Sequence, residues 1–143
     1  MYRKILVALE NGPADTCLLP HIAEFARKLG SDLLLLHVAD GWAARNYDQL
    51  NLAASDEMKA DQNYLQAMAQ QLTSTGLRAE ILLALGNPPN EIVKAAEANG
   101  CDLIALASHG HKLFADIVHG STIDRVRHNT TIPLLVVSAK QKG

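Results

Sequence analysis

The chain has 143 residues, a formal net charge of −2 and an apolar content of 48%. That length suits one domain with its own hydrophobic core, so we expect a single domain over residues 1–143. The nearly balanced charge provides no field that would attract nucleic acid, and a nucleic-acid partner is not expected. No apolar stretch is long enough to span a bilayer, and the apolar run after Lys4 is too short for a secretory signal.

The two cysteines, Cys17 and Cys101, show neither CxxC spacing nor paired histidines nearby. This pattern predicts no zinc site and no disulfide framework, and each cysteine is expected to pack as a small apolar residue. Together with the absence of a signal segment, the pattern predicts a soluble protein of the reducing cytoplasm.

Short apolar runs alternate with longer amphipathic segments along the chain. The runs predict five strands, at Ile5–Leu9, Leu33–Val38, Ile81–Leu85, Leu103–Leu106 and Leu134–Val137. Each run is nearly continuous in apolar residues, which is typical of strands buried on both faces of a parallel sheet.

The intervening segments predict four helices. The first ends before Gly30, and Pro20 within it predicts a kink or a late helix start. The second covers residues 65–72 and precedes Gly76, the third runs from Pro88 to Gly100, and the fourth is expected to start near Ser121. With right-handed crossovers, this alternation predicts an α/β three-layer sandwich around a parallel sheet.

Residues 39–51, with the sequence ADGWAARNYDQLN, follow the second predicted strand and have weak helical periodicity. Loops at the carboxyl ends of parallel strands line the ligand crevice of such folds. The segment, which contains Trp42 and Tyr47, is therefore either a lid over a ligand or a surface connection, and both interpretations remain open.

The segment from Leu103 to Thr122 carries the most specific chemical signal. Gly110 follows a buried strand, and Gly120-Ser121-Thr122 precede the fourth predicted helix. Glycine lets backbone approach a ligand closely, and amide groups at a helix amino terminus favour phosphate. Ordinary helix capping and a simple turn are the alternatives. No Walker motif and no G-x-G-x-x-G sequence occurs in the chain.

Three histidines, His109, His111 and His119, flank these glycines. We interpret them as polar loop residues near a phosphate rather than as metal ligands, and no metal site is predicted. No catalytic triad is legible around Ser108 and His109, since adjacent side chains diverge.

The spacing Ala107–two residues–Gly110–nine residues–Gly120-Ser121 resembles the G-2x-G-9x-G-S/T nucleotide motif of universal stress proteins. The segments KILVALENGP, GNPPNEIVKAA, CDLIALASHG and TIPLLVV resemble other parts of that family, so the similarity covers essentially the whole chain. The resemblance implies an adenine-nucleotide α-hydrolase-like (Rossmann-like) fold with a five-stranded parallel sheet in the order 3-2-1-4-5. Two departures stand out: Ala107 replaces a glycine, and Glu10 replaces an aspartate.

The resemblance further implies ATP, with or without Mg²⁺, as the ligand. Backbone groups of Ala8 and Val38 would bracket the adenine, and Glu10 would face the ribose or base. The phosphate end would be surrounded by Ala107, Gly110, Gly120, Ser121 and Thr122, with Leu9, Leu106, Ser108 and His109 completing the site. A homodimer through strand residues 134–138 is implied as well.

Three functions are compatible with these residues. The first is an ATP-binding stress-response regulator that hydrolyses its ligand slowly or not at all, since no general base is apparent. The second is a dimeric interaction module that binds no nucleotide and acts through its terminal edge strand. The third, an ATP-dependent enzyme, requires a base and a second substrate pocket that the sequence does not indicate, so enzymatic activity is not expected.

Overall fold

The structure is a computed structural model that describes residues 1–40, 51–108 and 114–139, without the side chains of residues 40, 51–55 and 114–121. Within these residues, five strands and four helices alternate. In order they are β1 (Lys4–Ala8), α1 (Asp15–Leu29), β2 (Asp32–Asp40), α2 (Asn51–Thr73), β3 (Ala79–Gly86), α3 (Pro88–Ala98), β4 (Leu103–Ser108), α4 (Phe114–Asn129) and β5 (Leu134–Ser138). All five predicted strands are confirmed, with ends that differ by at most two residues.

The strands form one parallel sheet in the order β3-β2-β1-β4-β5, as predicted. One face packs against α1 and α2, where Leu18, Ile22 and Leu65 are fully buried. The other face packs against α3 and α4, where Ile92 and Val126 are buried. The three-layer α/β sandwich is therefore confirmed.

The ends of α1 and α3 follow from local chemistry. Gly30 adopts a φ of 71° after the last turn of α1, a left-handed conformation that glycine enters without a Cβ penalty. The side chain of Asn87 accepts a hydrogen bond from the amide of Asn90, and Pro88 occupies the first turn of α3. Because α1 begins at Asp15, the late start considered for Pro20 does not occur.

The predicted start of α4 near Ser121 is wrong, because the helix begins at Phe114. Gly120 and Ser121 lie within the helix, where glycine costs about 1 kcal/mol relative to alanine. Burial of Val126, which is fully shielded from solvent, helps to offset that cost. Packing of α4 against the sheet therefore outweighs the local preference of Gly120 and Ser121 for a position before a helix.

The cysteines lie apart, and both are free. Cys101 belongs to the core on the α3–α4 face, as predicted, and burial raises the pKa of its thiol to about 11. Cys17 is half-buried on α1. Among the described residues, no helix combines the length and apolar character needed to cross a membrane.

Candidate functional site

A cleft of about 290 Å³ opens at the carboxyl ends of the central strands. The chain leaves β1 towards β2 and β3 on one side and later returns to place β4 and β5 on the other. Ligands of open α/β sheets bind at the point where the strand order reverses in this way. The cleft lies at that switch point, with volume near the lower end of the range for small-molecule sites, about 300–1,000 Å³.

Seven predicted site residues line this cleft. They come from the end of β1 and the turn after it, from β2, from β4 and from α4: Ala8, Leu9, Glu10, Val38, Leu106, Ala107 and Thr122. Elements distant in sequence thus bring their predicted residues to one place. The fold brings these seven residues together, and their role in binding a ligand stays a prediction.

Val38 presents backbone groups to the cleft because β2 extends beyond the carboxyl end of β1. The β1–β2 ladder ends with the pair Ala8–Leu36 and the hydrogen bond from the Leu9 amide to the Leu36 carbonyl at 2.8 Å. Backbone groups of alternate residues face the same neighbouring strand, so Val38 directs its amide and carbonyl to the side where β1 has ended. A donor and an acceptor thus lie at the cleft, beyond the last strand pair.

Ala107 fits its position without the conformational freedom of glycine. Among the described residues other than glycine, positive φ occurs only at Tyr2 and Asn11, so Ala107 keeps ordinary backbone geometry. It is 6% exposed and belongs to the core on the α1–α2 face, together with Leu9 and Ala14. Its methyl group therefore packs away from the cleft wall formed by Leu106.

The turn after β1 is held by a buried carboxylate. Asp15, 2% exposed, accepts the amide hydrogens of Glu10 and Asn11 at 3.0 and 2.9 Å. The hydroxyl of Tyr64 donates to the same carboxylate. Burial, and then the hydrogen bond and charge of Asp15, raise the pKa of Tyr64, so this donor keeps its proton. The backbone around Glu10 is consequently fixed from α1.

A second contact holds the turn from α2. The Asn11 amide side chain donates to Asp61 Oδ1 at 2.9 Å, and Asn11 itself adopts a φ of 59°. The His37 ring lies between the Leu9 carbonyl, 2.9 Å from Nδ1, and Asp61 Oδ2, 3.4 Å from Nε2. The residues on both sides of Glu10 are thus connected to α2.

The predicted phosphate end is described only in part. Ser108 closes β4, and its carbonyl accepts the amide of Ala139 at 2.7 Å. His109 and Gly110 lie outside the described residues, as does most of the candidate lid at residues 39–51. Gly120 and Ser121 are helical, so the amides of Ser121 and Thr122 do not lie at a helix amino terminus as predicted. Thr122 instead lines the cleft from the side of α4.

Five lining residues were not predicted: Leu36, His37, Pro88, Ile92 and Ile123. Pro88 and Ile92 come from the first turns of α3, which begins immediately beyond the carboxyl end of β3. The GNPP sequence marked that helix start, so its first turn could have been placed beside the strand ends. One signal in the sequence indicated a special role of His37, namely that it is the polar residue of the predicted apolar strand Leu33–Val38.

The cleft combines apolar walls with polar groups at its edge. Val38, Leu106 and Ile123 belong to or pack against the apolar cluster on the α3–α4 face. Such walls suit a flat ring system, while backbone groups of Val38 can hydrogen-bond to its edge. The Glu10 carboxylate, on the turn after β1, is an acceptor for hydroxyl groups. The arrangement suits a nucleoside-like ligand.

The universal stress protein family model matches residues 1–138. The chain belongs to the universal stress protein family. Universal stress protein MJ0577 of Methanocaldococcus jannaschii is 27% identical over 157 aligned residues, which cover 98% of this chain and 97% of that protein. The solved structure of MJ0577 is similar with a TM-score of 0.82 and covers 99% of each chain.

Two more distant universal stress proteins were solved with nucleotides. One, in complex with cAMP, is 16% identical with a TM-score of 0.69, covering 97% of this chain and 98% of its own. The other, from Archaeoglobus fulgidus in complex with dAMP, is 22% identical with a TM-score of 0.66, covering 95% and 98%. These structures share the fold of this universal stress protein.

Proposed function

We propose that this universal stress protein binds adenine nucleotides in the cleft, with ATP, alone or with Mg²⁺, as the physiological ligand. It would act as a cytoplasmic stress-response regulator. The observation that carries the proposal is the overhang of β2 beyond β1, which leaves the backbone of Val38 facing a cleft with apolar walls. The base would lie against these walls, with the ribose towards Glu10 and the phosphates towards Ala107 and Thr122.

The relatives support the same ligand class. The solved complexes with cAMP and dAMP belong to universal stress proteins of the same fold. Both ligands share the adenine base with ATP and differ in their sugar-phosphate parts. We therefore assign the adenine base to the part of the cleft lined by Val38 and Leu106.

The substitution at Ala107 is compatible with nucleotide binding. Its methyl group belongs to the α1–α2 core, and its backbone does not require positive φ. Glu10 keeps the carboxylate of the family's usual aspartate on a longer side chain. The two departures from the family motif therefore leave the cleft open to a nucleotide.

Hydrolysis would be slow. The acidic side chain among the described lining residues is Glu10, which lies on the β1 turn and so, in this orientation, beside the nucleoside rather than the terminal phosphate. A general base must come within hydrogen-bond reach of the attacking water. We expect phosphate release from ATP to be far slower than the typical enzyme turnover of about 10 s⁻¹.

Isothermal titration calorimetry with ATP, in the presence and absence of Mg²⁺, tests the proposal. Wild-type protein freed of nucleotide should bind ATP saturably, and Val38→Trp should abolish binding by filling the cleft. Leu85→Trp is the matched control, since Leu85 is 41% exposed on the neighbouring strand and does not line the cleft. No saturable binding to wild type at millimolar ATP would refute the proposal.

A homodimer through β5 is the second part of the proposal, and it would serve the alternative role as an interaction module. β5 is an edge strand, and Val136 on it is 43% exposed. An apolar edge strand is a template for pairing with a second copy. Sedimentation should show a dimer that Val136→Lys dissociates, whereas Leu85→Lys on the opposite edge leaves it intact. A monomeric wild type would contradict this part.

A further inference from the structure

We propose that the side chain of Ala8 is a specificity-determining residue, because its small size creates the space that a ring system occupies in the cleft. The family resemblance implied a role only for the backbone groups of this residue. The space above the methyl group follows from the fold alone. Its consequence for ATP rests on the proposed nucleotide function.

Below the cleft, large side chains fill the face of the sheet that packs against α3 and α4. Alternate residues of a strand point to the same side, so paired residues of neighbouring strands form rows across this face. In one row, Leu6 is paired with Leu34 on β2 and with Ile104 on β4. All three residues are 2% exposed or less. This row leaves no room for a ligand.

The next row towards the carboxyl ends has a small side chain at its centre. Ala8 is paired with Leu36, and continuing the register of Val7 with Ala105 places Ala8 beside Leu106. Leu36 and Leu106 are 0% and 4% exposed, whereas Ala8 between them is only partly buried. The central side chain thus changes from the isobutyl group of leucine to a methyl group, and a gap opens between two leucines.

The helix layer does not fill this gap. Ile92 on α3 and Ile123 on α4 line the cleft from the helix side, and Ala8 lines it from the sheet side. If alanine were present to let a helix approach the sheet, its methyl group would be as closed to solvent as the side chain of Leu6. Because Ala8 is partly exposed, the space above it belongs to the cleft.

The gap has the shape of a slot. The two strands on either side of β1 are about 10 Å apart, which is twice the spacing of neighbouring strands. Leucines bound the slot on both sides, and isoleucines bound it from the helix layer. A flat apolar ring system such as a purine suits a slot with these walls. A larger side chain at position 8 would occupy the same space as the ring.

A series of side chains at position 8 tests this assignment. Ala8→Gly leaves the gap open, Ala8→Val narrows it, and Ala8→Leu places in this row the side chain that closes the row below. Valine is favoured in strands, so Ala8→Val should retain the fold. Ala79→Val and Ala79→Leu are matched controls, because Ala79 is also partly buried in the sheet but lies at the amino end of β3 on the opposite face.

Isothermal titration calorimetry with ATP measures the consequence for the proposed function. One additional carbon atom in an apolar pocket changes affinity by about tenfold or more. Ala8→Val should therefore bind ATP at least about tenfold more weakly than wild type, and Ala8→Leu at least about 100-fold more weakly. Ala8→Gly should lose less than Ala8→Val, and the Ala79 variants should stay within about threefold of wild type. An equal loss in Ala8→Gly and Ala8→Val would overturn the role of side-chain size.

Benzimidazole, a two-ring system without ribose or phosphate, separates this proposal from the proposed function. At millimolar concentration it should shift the NMR amide signals of Ala8, Leu36 and Leu106 in nucleotide-free wild type and in Ala79→Val, but not in Ala8→Leu. The absence of shifts in wild type, or equal shifts in Ala8→Leu, would overturn the proposal.

The two readouts together identify which proposal fails. If benzimidazole behaves as expected and ATP does not bind, the proposed function fails and the role of Ala8 stands. If ATP binds equally to wild type and Ala8→Leu, the role of Ala8 fails and nucleotide binding stands.

Discussion

The two ends of β1 are held by the same device in different surroundings. At the amino end, Asp102 accepts the amide hydrogens of Arg3 and Lys4 at 3.0 and 3.1 Å. Beyond the carboxyl end, Asp15 accepts those of Glu10 and Asn11 at 3.0 and 2.9 Å. In each case one carboxylate receives two consecutive backbone donors, so the central strand is fixed at both ends.

The two ends of β1 differ in how far their contacts are shielded from solvent. Asp102 is only partly shielded, and the nearby contacts are partly exposed ion pairs such as Lys4–Glu80 at 3.0 Å. Asp15 is buried and accepts a hydrogen bond from the Tyr64 hydroxyl. The contact between His37 and Asp61 lies beside it. The amino end is thus closed by solvated contacts that contribute little each, while the carboxyl end carries a buried polar network around the cleft.

The largest effect on the free energy of unfolding is expected at Asp15, which holds the turn after β1. Asp15→Ala would leave two amides and the Tyr64 hydroxyl without their acceptor and should lower the free energy of unfolding by about 3 kcal/mol. Tyr64→Phe removes one donor and should cost about 1 kcal/mol. Urea denaturation measures both changes. Equal losses for the two variants would contradict the central role of the carboxylate.

The same pair has an alkaline signature. Because the pKa of Tyr64 is raised in the folded protein, its contribution is complete below the pKa of an unfolded tyrosine, about 10, and is lost as pH rises through the folded value. Wild type should therefore lose stability above about pH 10 more steeply than Tyr64→Phe. Identical slopes would place the hydroxyl outside this network.

A smaller effect on the free energy of unfolding is expected at Asp102, which holds the amino end of β1. Partial burial opposes ionisation of Asp102, but the amides of Arg3 and Lys4 favour the carboxylate more, so its pKa is lowered. Its contribution is complete above the unfolded pKa of about 3.9 and is lost as pH falls through the folded value. Asp102→Asn should cost about 1 kcal/mol at neutral pH and almost nothing in acid. A loss independent of pH would contradict this role.

The smallest stability change is expected beside the cleft. Ala107→Gly removes a buried methyl group and adds backbone freedom, which should cost about 0.5–1 kcal/mol. Because the methyl group packs in the α1–α2 core, the affinity for ATP should change less than about twofold. Denaturation and calorimetry together check the pair of outcomes. A large gain in affinity would mean that the methyl group obstructs the ligand.

Much of the fold could be predicted from the sequence because its signals are local. Continuous apolar runs marked the five strands, and Gly30 and Pro88 marked helix ends that the structure confirms. The start of α4 could not be read in this way. Gly120 and Ser121 carry the same short signal whether they open a helix or lie within one, and only packing of the whole helix decides between them.

The quoted segments gave part of the cleft. KILVALENGP and CDLIALASHG contain Ala8 and Leu106, which reach the cleft, whereas Pro88 and Ile92 also lie in a quoted segment and were not predicted as site residues. The pairing of His37 with Asp61 joins a strand to a helix that the sequence outlined only from residue 65 onward. No local pattern connects these two residues, because their contact depends on how α2 lies over the sheet.

The most direct test of the account is an NMR titration of the amide signals with ATP in nucleotide-free protein. Signals of Leu9, Glu10, Val38 and Leu106 should shift in a saturable manner, while those of Arg3 and Asp102 at the opposite end of the sheet should not. Shifts confined to other surfaces, or none at millimolar ATP, would contradict a nucleotide site at the carboxyl end of β1.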